Sequence, residues 1–174
     1  LIIEITKRMI NKNRRTLILS DRRAHLKTIY EIITESKIGT IGYYVGGMKQ
    51  SALEESAKCQ VVLGTFQMAS EGMDVPELDT IILASPKSNV EQSVGRVQRK
   101  VHKNGAIIWD IVDQFSVFPR QYAKRKIFYN SFKKTTAYTK KKYPIYQYWC
   151  NDGSYSGLDK KGVLVTRKNS RKNK

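Results

Sequence analysis

Two hydrophobic periods alternate along this chain, and that alternation restricts its fold more than any other feature. Short, continuous apolar runs of strand length recur between segments whose apolar residues return every three or four positions. Leu1 to about Asn13 reads as a helix, with Ile2, Ile5 and Met9 on one side, and Thr16 to Leu19 as a strand. Ser20 or Asp21 suits the N-cap of a following helix that carries Leu26, Ile29 and Ile33 and stops near Gly39. Thr40 to Val45 is strand-like and closes on Gly46 and Gly47, Ser51 to Ala57 is a short helix, and Cys59 to Thr65 is a strand. Residues 79–85 form a further apolar strand, Asn89 to about Val101 a helix, and Gly105 to Val112 a strand apolar on both faces. Strands of this kind must be covered on both sides, and strands separated by helices run parallel. The expected fold is α/β, an open parallel sheet with helices on both faces. Ligands of such sheets bind beyond the carboxyl ends of the strands, which directs attention to the loops after Leu19, Val45, Leu63 and Ala84.

The pattern changes near Phe118. A long basic helix is expected over roughly Pro119 to Ala137, with an apolar stripe of Tyr122, Ile127 or Phe128, and Phe132. Tyr143 to Cys150 and Val163 to Thr166 have the composition of a β-hairpin around the turn signals Asp152-Gly153 and Ser156-Gly157, before a frayed tail. This divides the chain into an α/β domain over residues 1–118 and a basic, aromatic-rich extension over 119–174. The formal charge of +17 is concentrated in that extension: residues 120–174 hold 16 Lys and Arg against 2 Asp and Glu, whereas residues 1–119 hold 16 against 13. The same stretch carries 10 of the 17 aromatic residues. Cations interleaved with stacking surfaces are what a nucleic-acid groove requires, the plainer alternative being a solvated basic face over an aromatic core.

Other classes are excluded. The longest apolar runs, such as Ile81 to Ala84 and Ala106 to Trp109, fall far short of the roughly 20 residues of a membrane span. Cys59 and Cys150 are too few for a disulfide framework and lack zinc-ligand spacing, which favours a reducing, intracellular setting, cytoplasmic or nuclear, and no metal site.

Two segments carry candidate chemistry. On the helix from Asn89, Gln92, Arg96 and Arg99 stand at i, i+4 and i+7 and project from one face, while Gly95 lets a ligand approach it. Two guanidiniums and an amide make a phosphate clamp, or else an ordinary exposed basic face. The second segment, Gly64 to Pro76, follows a buried strand. Thr65 and the backbone amides beyond it suit a phosphate, and Asp74 suits a sugar hydroxyl; the alternative is a strand-to-helix turn with Gly72 as a helix C-cap.

Taken together, Ser20-Asp21-Arg22, Tyr44-Val45-Gly46-Gly47, the Gly64 to Pro76 loop and Gln92 to Arg99 occur in the order and spacing of the second RecA-like domain of superfamily 2 helicases. The resemblance covers about residues 10–115. The QSVGRVQR form of the last motif, and the IIWDIVD strand with an Arg-rich helix after it, most resemble the DNA helicases of the XPB/UvsW and large-DNA-virus types. The resemblance implies that Arg96 and Arg99 are arginine fingers reaching the γ-phosphate of ATP and that Gln92 opens their motif on the nucleotide side. It implies that Glu71, Gly72 and Asp74 form the fifth motif, with the aspartate near the ribose. Thr65, Ser20, Asp21, Arg22, Gly46 and Gly47 then contact the nucleic-acid backbone.

The chain has no GxxxxGK[ST] phosphate loop and no Asp-Glu-x-His/Asp pair of the kind that holds Mg²⁺. The resemblance therefore implies half of an ATPase, inactive alone, whose partner is an amino-terminal RecA-like domain of the same protein holding most of ATP and Mg²⁺; a beginning at Leu1 fits that expectation. DNA, single-stranded or duplex, is the expected substrate. The alternatives are an RNA helicase of the same superfamily, a RecA-like nucleic-acid-binding module that does not hydrolyse ATP, and a basic structural nucleoprotein, which would leave the loops unexplained.

Overall fold

The computed structural model describes residues 1–98, 105–113, 117–135 and 145–150. Its strands are β1 (Thr16–Leu19), β2 (Ile41–Tyr44), β3 (Val61–Gly64), β4 (Thr80–Leu83), β5 (Ile107–Asp113) and β6 (Ile145–Cys150). They form a six-stranded sheet in the order β2-β3-β1-β4-β5-β6, with every pairing parallel. The helices are α1 (Ile2–Asn11), α2 (Arg23–Glu35), α3 (Gln50–Ala57), α4 (Phe66–Glu71), α5 (Glu91–Gln98) and α6 (Phe118–Thr135).

Side-chain alternation along the strands builds two cores. Leu17, Leu19, Val62, Ile81, Leu83 and Ile108 face one side, where they pack with Leu53 of α3, Phe66 and Ala69 of α4, Val94 and Val97 of α5 and Tyr129 of α6. Ile18, Val61, Leu63, Ile82, Ile107 and Trp109 face the other, against Ile5 and Met9 of α1 and Leu26, Ile29 and Ile33 of α2. The result is a three-layer helix–sheet–helix sandwich of the RecA-like kind, in which the uninterrupted apolar strands are explained by burial on both faces. Gly42 permits the close approach of α3 to β2, since a Cβ there would lie 2.7 Å from the Cα of Ser56.

Two expectations change at the ends of elements. Helix α2 starts at Arg23, not directly after Ser20 or Asp21, and its N-cap residue Arg22 makes no side-chain cap. Ser20 instead turns its hydroxyl inward, accepting the Arg22 N–H at 3.2 Å. In α6, Ile127 is 73% exposed while Tyr122 and Tyr129 are buried, so the inward stripe runs through Tyr122, Arg125 and Tyr129. The ion pair made by Arg125, described below, is what allows a charge to hold that place. Strand β6 pairs in parallel with β5 over Ile108↔Ile145 to Asp113↔Cys150; the second strand of the expected hairpin, at Val163 to Thr166, lies outside the described residues.

Because all strands are parallel, the loops after β1, β2, β3 and β4 emerge from one edge of the sheet. Backbone bonds carry the alignment to the base of the loops: Ser20 N–H donates to Gly64 O at 3.1 Å and Ala84 N–H to Leu19 O at 2.8 Å.

Candidate functional site

The loop after β1 is fixed by polar contacts on both sides. Ser20 is fully buried, and its Oγ lies 3.2 Å from His25 Nδ1 as well as accepting from Arg22; its contribution is the shape of the turn. Burial, and then the nearby Arg22 guanidinium, lower the pKa of His25 below the ordinary 6.5. The Asp21 N–H donates to Ser85 Oγ at 3.0 Å, and its carboxylate accepts from Lys87 Nζ at 2.9 Å, tying this loop to the one after β4. Arg22 is exposed. Its neighbour Arg23 donates to Gly46 O at 2.9 Å and so ties the first loop to the one after β2. Gly47 has a φ of +87°, the left-handed conformation that glycine adopts without strain, and is exposed.

The loop after β3 starts with Thr65, the N-cap of α4, whose Oγ accepts the Met68 N–H at 3.3 Å. Gly72 is the C-cap of that helix at a φ of −162°, extended backbone open to any residue. Glu71, Gly72 and Asp74 are exposed, while Met73 and Val75 are buried and pin the loop beneath them. The Glu71 carboxylate accepts from Gln67 Nε2 at 3.2 Å.

Helix α5 opens with Asn89 Oδ1 accepting the Glu91 N–H at 3.1 Å and is seated by buried Ser93, Val94 and Val97. Gln92 is exposed, Arg96 is half-buried and Gly95 has open space where a Cβ would stand. The Arg96 guanidinium donates from Nε to Ala69 O at 3.0 Å and from Nη2 to Ser70 O at 2.5 Å. A cation thus holds carbonyls in the last turn of α4, at the negative end of the helix dipole, and joins the segment after β3 to the Gln92 helix. Arg99 lies outside the described residues.

Sequence reasoning did not single out Arg23, Lys87 or the anchor of α6. Asp110 of β5 is fully buried and accepts from Arg125 Nε and Nη2, both at 2.9 Å, and from Tyr129 Oη at 2.9 Å. Arg125 Nη1 also donates to Lys87 O at 2.5 Å. Burial, and then the Asp110 carboxylate, push the Tyr129 phenol far above its ordinary range, so it stays a donor. An aspartate inside the apolar run of β5 was the available signal, because a buried carboxylate must have a partner.

Among the described residues no three His, Cys, Asp or Glu side chains come together to hold a metal ion, and no helix is long and apolar enough to cross a membrane. The carboxylates of Glu71 and Asp74 stand exposed on the loop after β3, and that of Asp21 at the same edge is taken by Lys87.

Residues 1–101 match the family described as the helicase conserved C-terminal domain. The chain is 34% identical over 155 residues to a protein of Acanthamoeba polyphaga mimivirus whose name describes an ATP-dependent RNA helicase, covering 87% of this chain and 28% of that one. It therefore spans little more than a quarter of this curated relative's length. Among solved structures, T4 UvsW superposes with a TM-score of 0.60 at 20% identity, over 85% of this chain and 34% of that one. The C-terminal part of the Fun30 ATPase domain gives 0.61 at 11% identity, over 70% and 43% respectively. These likenesses show the RecA-like fold.

Proposed function

We infer, for a chain that belongs to the helicase conserved C-terminal domain family, that it is the second motor half of an ATP-dependent superfamily 2 helicase or translocase acting on DNA. The observation that supports this most directly is the Arg96 bridge, which fastens the nucleotide-side helix to the loop of Thr65 and Asp74 on one edge of the sheet. In this reading residues 1–118 are the motor domain and 119–174 an added basic hold. An amino-terminal RecA-like domain supplies the phosphate loop and the carboxylates for Mg²⁺, and ATP lies between the two. Mg²⁺, held by that domain's carboxylates, would supply positive charge to offset that of the phosphates.

This chain's residues then have separate duties. Gln92 and Asp74 orient the nucleotide, Asp74 through the ribose, with Glu71 and Gly72 shaping that loop. Arg99 meets the γ-phosphate when the domains close, and Arg96 joins it by exchanging the Ala69 and Ser70 carbonyls for phosphate oxygens. Both guanidiniums stabilise charge that develops as the terminal phosphoryl group leaves, without donating a proton. Thr65, Arg22 and the Gly46-Gly47 backbone hold strand phosphates, while Ser20 sets the turn and Asp21 steadies the loop through Lys87 and Ser85. The Arg23 and Lys87 ties let these loops move as a unit, so a shift at the nucleotide side changes the grip on the strand.

The test uses the intact helicase with its amino-terminal half. Arg99→Ala is expected to lower kcat by about 10³- to 10⁵-fold with nucleic-acid affinity retained, and unchanged turnover would remove Arg99 from the site. A second reading, RNA as the strand, is favoured by the name of the mimivirus relative. ATPase stimulation by matched DNA and RNA strands decides between them: stimulation by DNA alone supports the first reading, and by RNA alone the second.

A further inference from the structure

Between the first turns of α2 and the end of β2 lies an open slot of about 440 Å³, within the roughly 300–1,000 Å³ of small-ligand clefts. Its walls are Ala24, Leu26, Tyr43, Val45 and Met48, and they are almost entirely apolar. Its rim is cationic. Arg23 and Lys27 line it, exposed Arg22 and Lys49 stand beside them in the chain, and the Arg23 bond to Gly46 O crosses from one wall to the other. The Tyr43 ring is held in place by stacking on Tyr30, with centroids 4.6 Å apart and planes 15° from parallel.

We propose that this slot receives an unstacked nucleobase of the bound strand while the cations around it hold the flanking phosphates. This rests on the strand grip inferred above and adds a base-seating element to it. A flat apolar wall beside a fixed aromatic ring is what a base face stacks on, and the near absence of hydrogen-bonding groups makes the seat indifferent to sequence. The surrounding positive charge selects a polyanion over an apolar side chain of a protein, because phosphates are the groups that Arg22, Arg23 and Lys49 complement. The slot also adjoins Gly46 and Arg22, so a strand gripped there brings a base to its mouth.

A comparison of two fluorescein-labelled strands of equal length and charge tests this: an oligothymidylate and the same backbone with every base removed, each titrated by anisotropy with the 174-residue chain. The unaltered protein is expected to favour the thymidylate by about five-fold or more, the usual effect of a stacked base. Ala24→Leu fills the slot from an exposed helical position and Met48→Gln makes its wall polar; each is expected to reduce that preference to near unity while binding of the baseless strand is unchanged. A thermal transition matching the parent identifies the variants that remain folded, and the exposed position of Ala24 makes that variant the decisive one. Equal binding of the two strands by the unaltered protein overturns the proposal but leaves the phosphate grip standing. A preference that persists undiminished in Ala24→Leu places the bases elsewhere and also overturns it. Failure of both strands to bind overturns the grip itself.

Discussion

Arg96 illustrates what one side chain does at this edge. Its fork satisfies two α4 carbonyls that the helix itself leaves without partners. Arg96→Ala should therefore cost about 1.5–3 kcal/mol of stability, the range for hydrogen bonds made by a charged group, as well as catalysis. Arg99→Ala should lower turnover alone. Denaturant melts of both variants beside kinetics of the intact helicase separate the two roles, and an unchanged midpoint for Arg96→Ala would show the bridge to be idle. His25 supplies the pH dependence. Its folded pKa is lowered, so the unfolded chain takes up a proton first on acidification. The stabilisation from neutral His25 is complete above about pH 6.5 and is lost as pH falls through the lower folded value. Melting temperatures measured between pH 7.5 and 5 should fall in the parent and fall less in His25→Gln; parallel curves would show that His25 is not responsible. The helical positions of Gln92 and Arg96 were legible in the sequence because 3.6-residue spacing fixes them. The partners of Arg96 were not, since backbone carbonyls carry no residue identity.

At the scale of elements, α6 is seated by a buried ion pair together with the packing of Tyr122, Phe128 and Tyr129. The Asp110–Arg125 pair is essentially buried, 0% and 2% exposed at the side chains. Removing one partner, as in Arg125→Met, leaves an isolated buried carboxylate and should cost about 3–5 kcal/mol, whereas Asp110→Leu with Arg125→Met should recover most of that loss. Equal destabilisation by the single and double variants would assign the effect to packing. Tyr129→Phe should be milder, at about 1–2 kcal/mol, by leaving one carboxylate lone pair unfilled. The existence and length of α6 were readable from composition and period, but its inward face was not. Of the alternatives Ile127 and Phe128, it is Phe128 that packs against the core while Ile127 is exposed, and the place of Arg125 on the inward face rests on a buried ion pair that hydrophobic periodicity does not register. The strands were the most legible elements. Their apolar runs match β1, β3, β4 and β5 closely because burial on both faces admits a polar residue only where a partner is supplied, as Arg125 and Tyr129 supply one to Asp110.

For the whole molecule, charge and topology have separable consequences. Residues 151–174 hold seven Lys and Arg against two Asp. If they touch the strand, deleting them should flatten the dependence of log affinity on log salt by about 0.9 for each phosphate that they neutralise; an unchanged slope would take this segment out of the interface. The purified chain should bind nucleic acid without hydrolysing ATP, and measurable turnover would show that it carries its own phosphate loop in some other form. The parallel sheet, and with it the single edge from which the loops after β1, β2, β3 and β4 emerge, could be foreseen from the order of strands and helices. What linear order could not supply was which loops touch, because Asp21 and Lys87, or Arg23 and Gly46, meet only once the strands lie side by side.

The alignment of those loops on main-chain bonds, Ser20 to Gly64 and Ala84 to Leu19, has an evolutionary consequence. The loops after β1, β3 and β4 are footed on groups that every residue except proline provides, so their tips can change composition without disturbing the platform. Lineages that exchange one polymer for another, or slow grip for fast, can do so by substitutions at the tips while the strand order stays constant. Divergence in sequence at this edge should therefore run well ahead of divergence in shape.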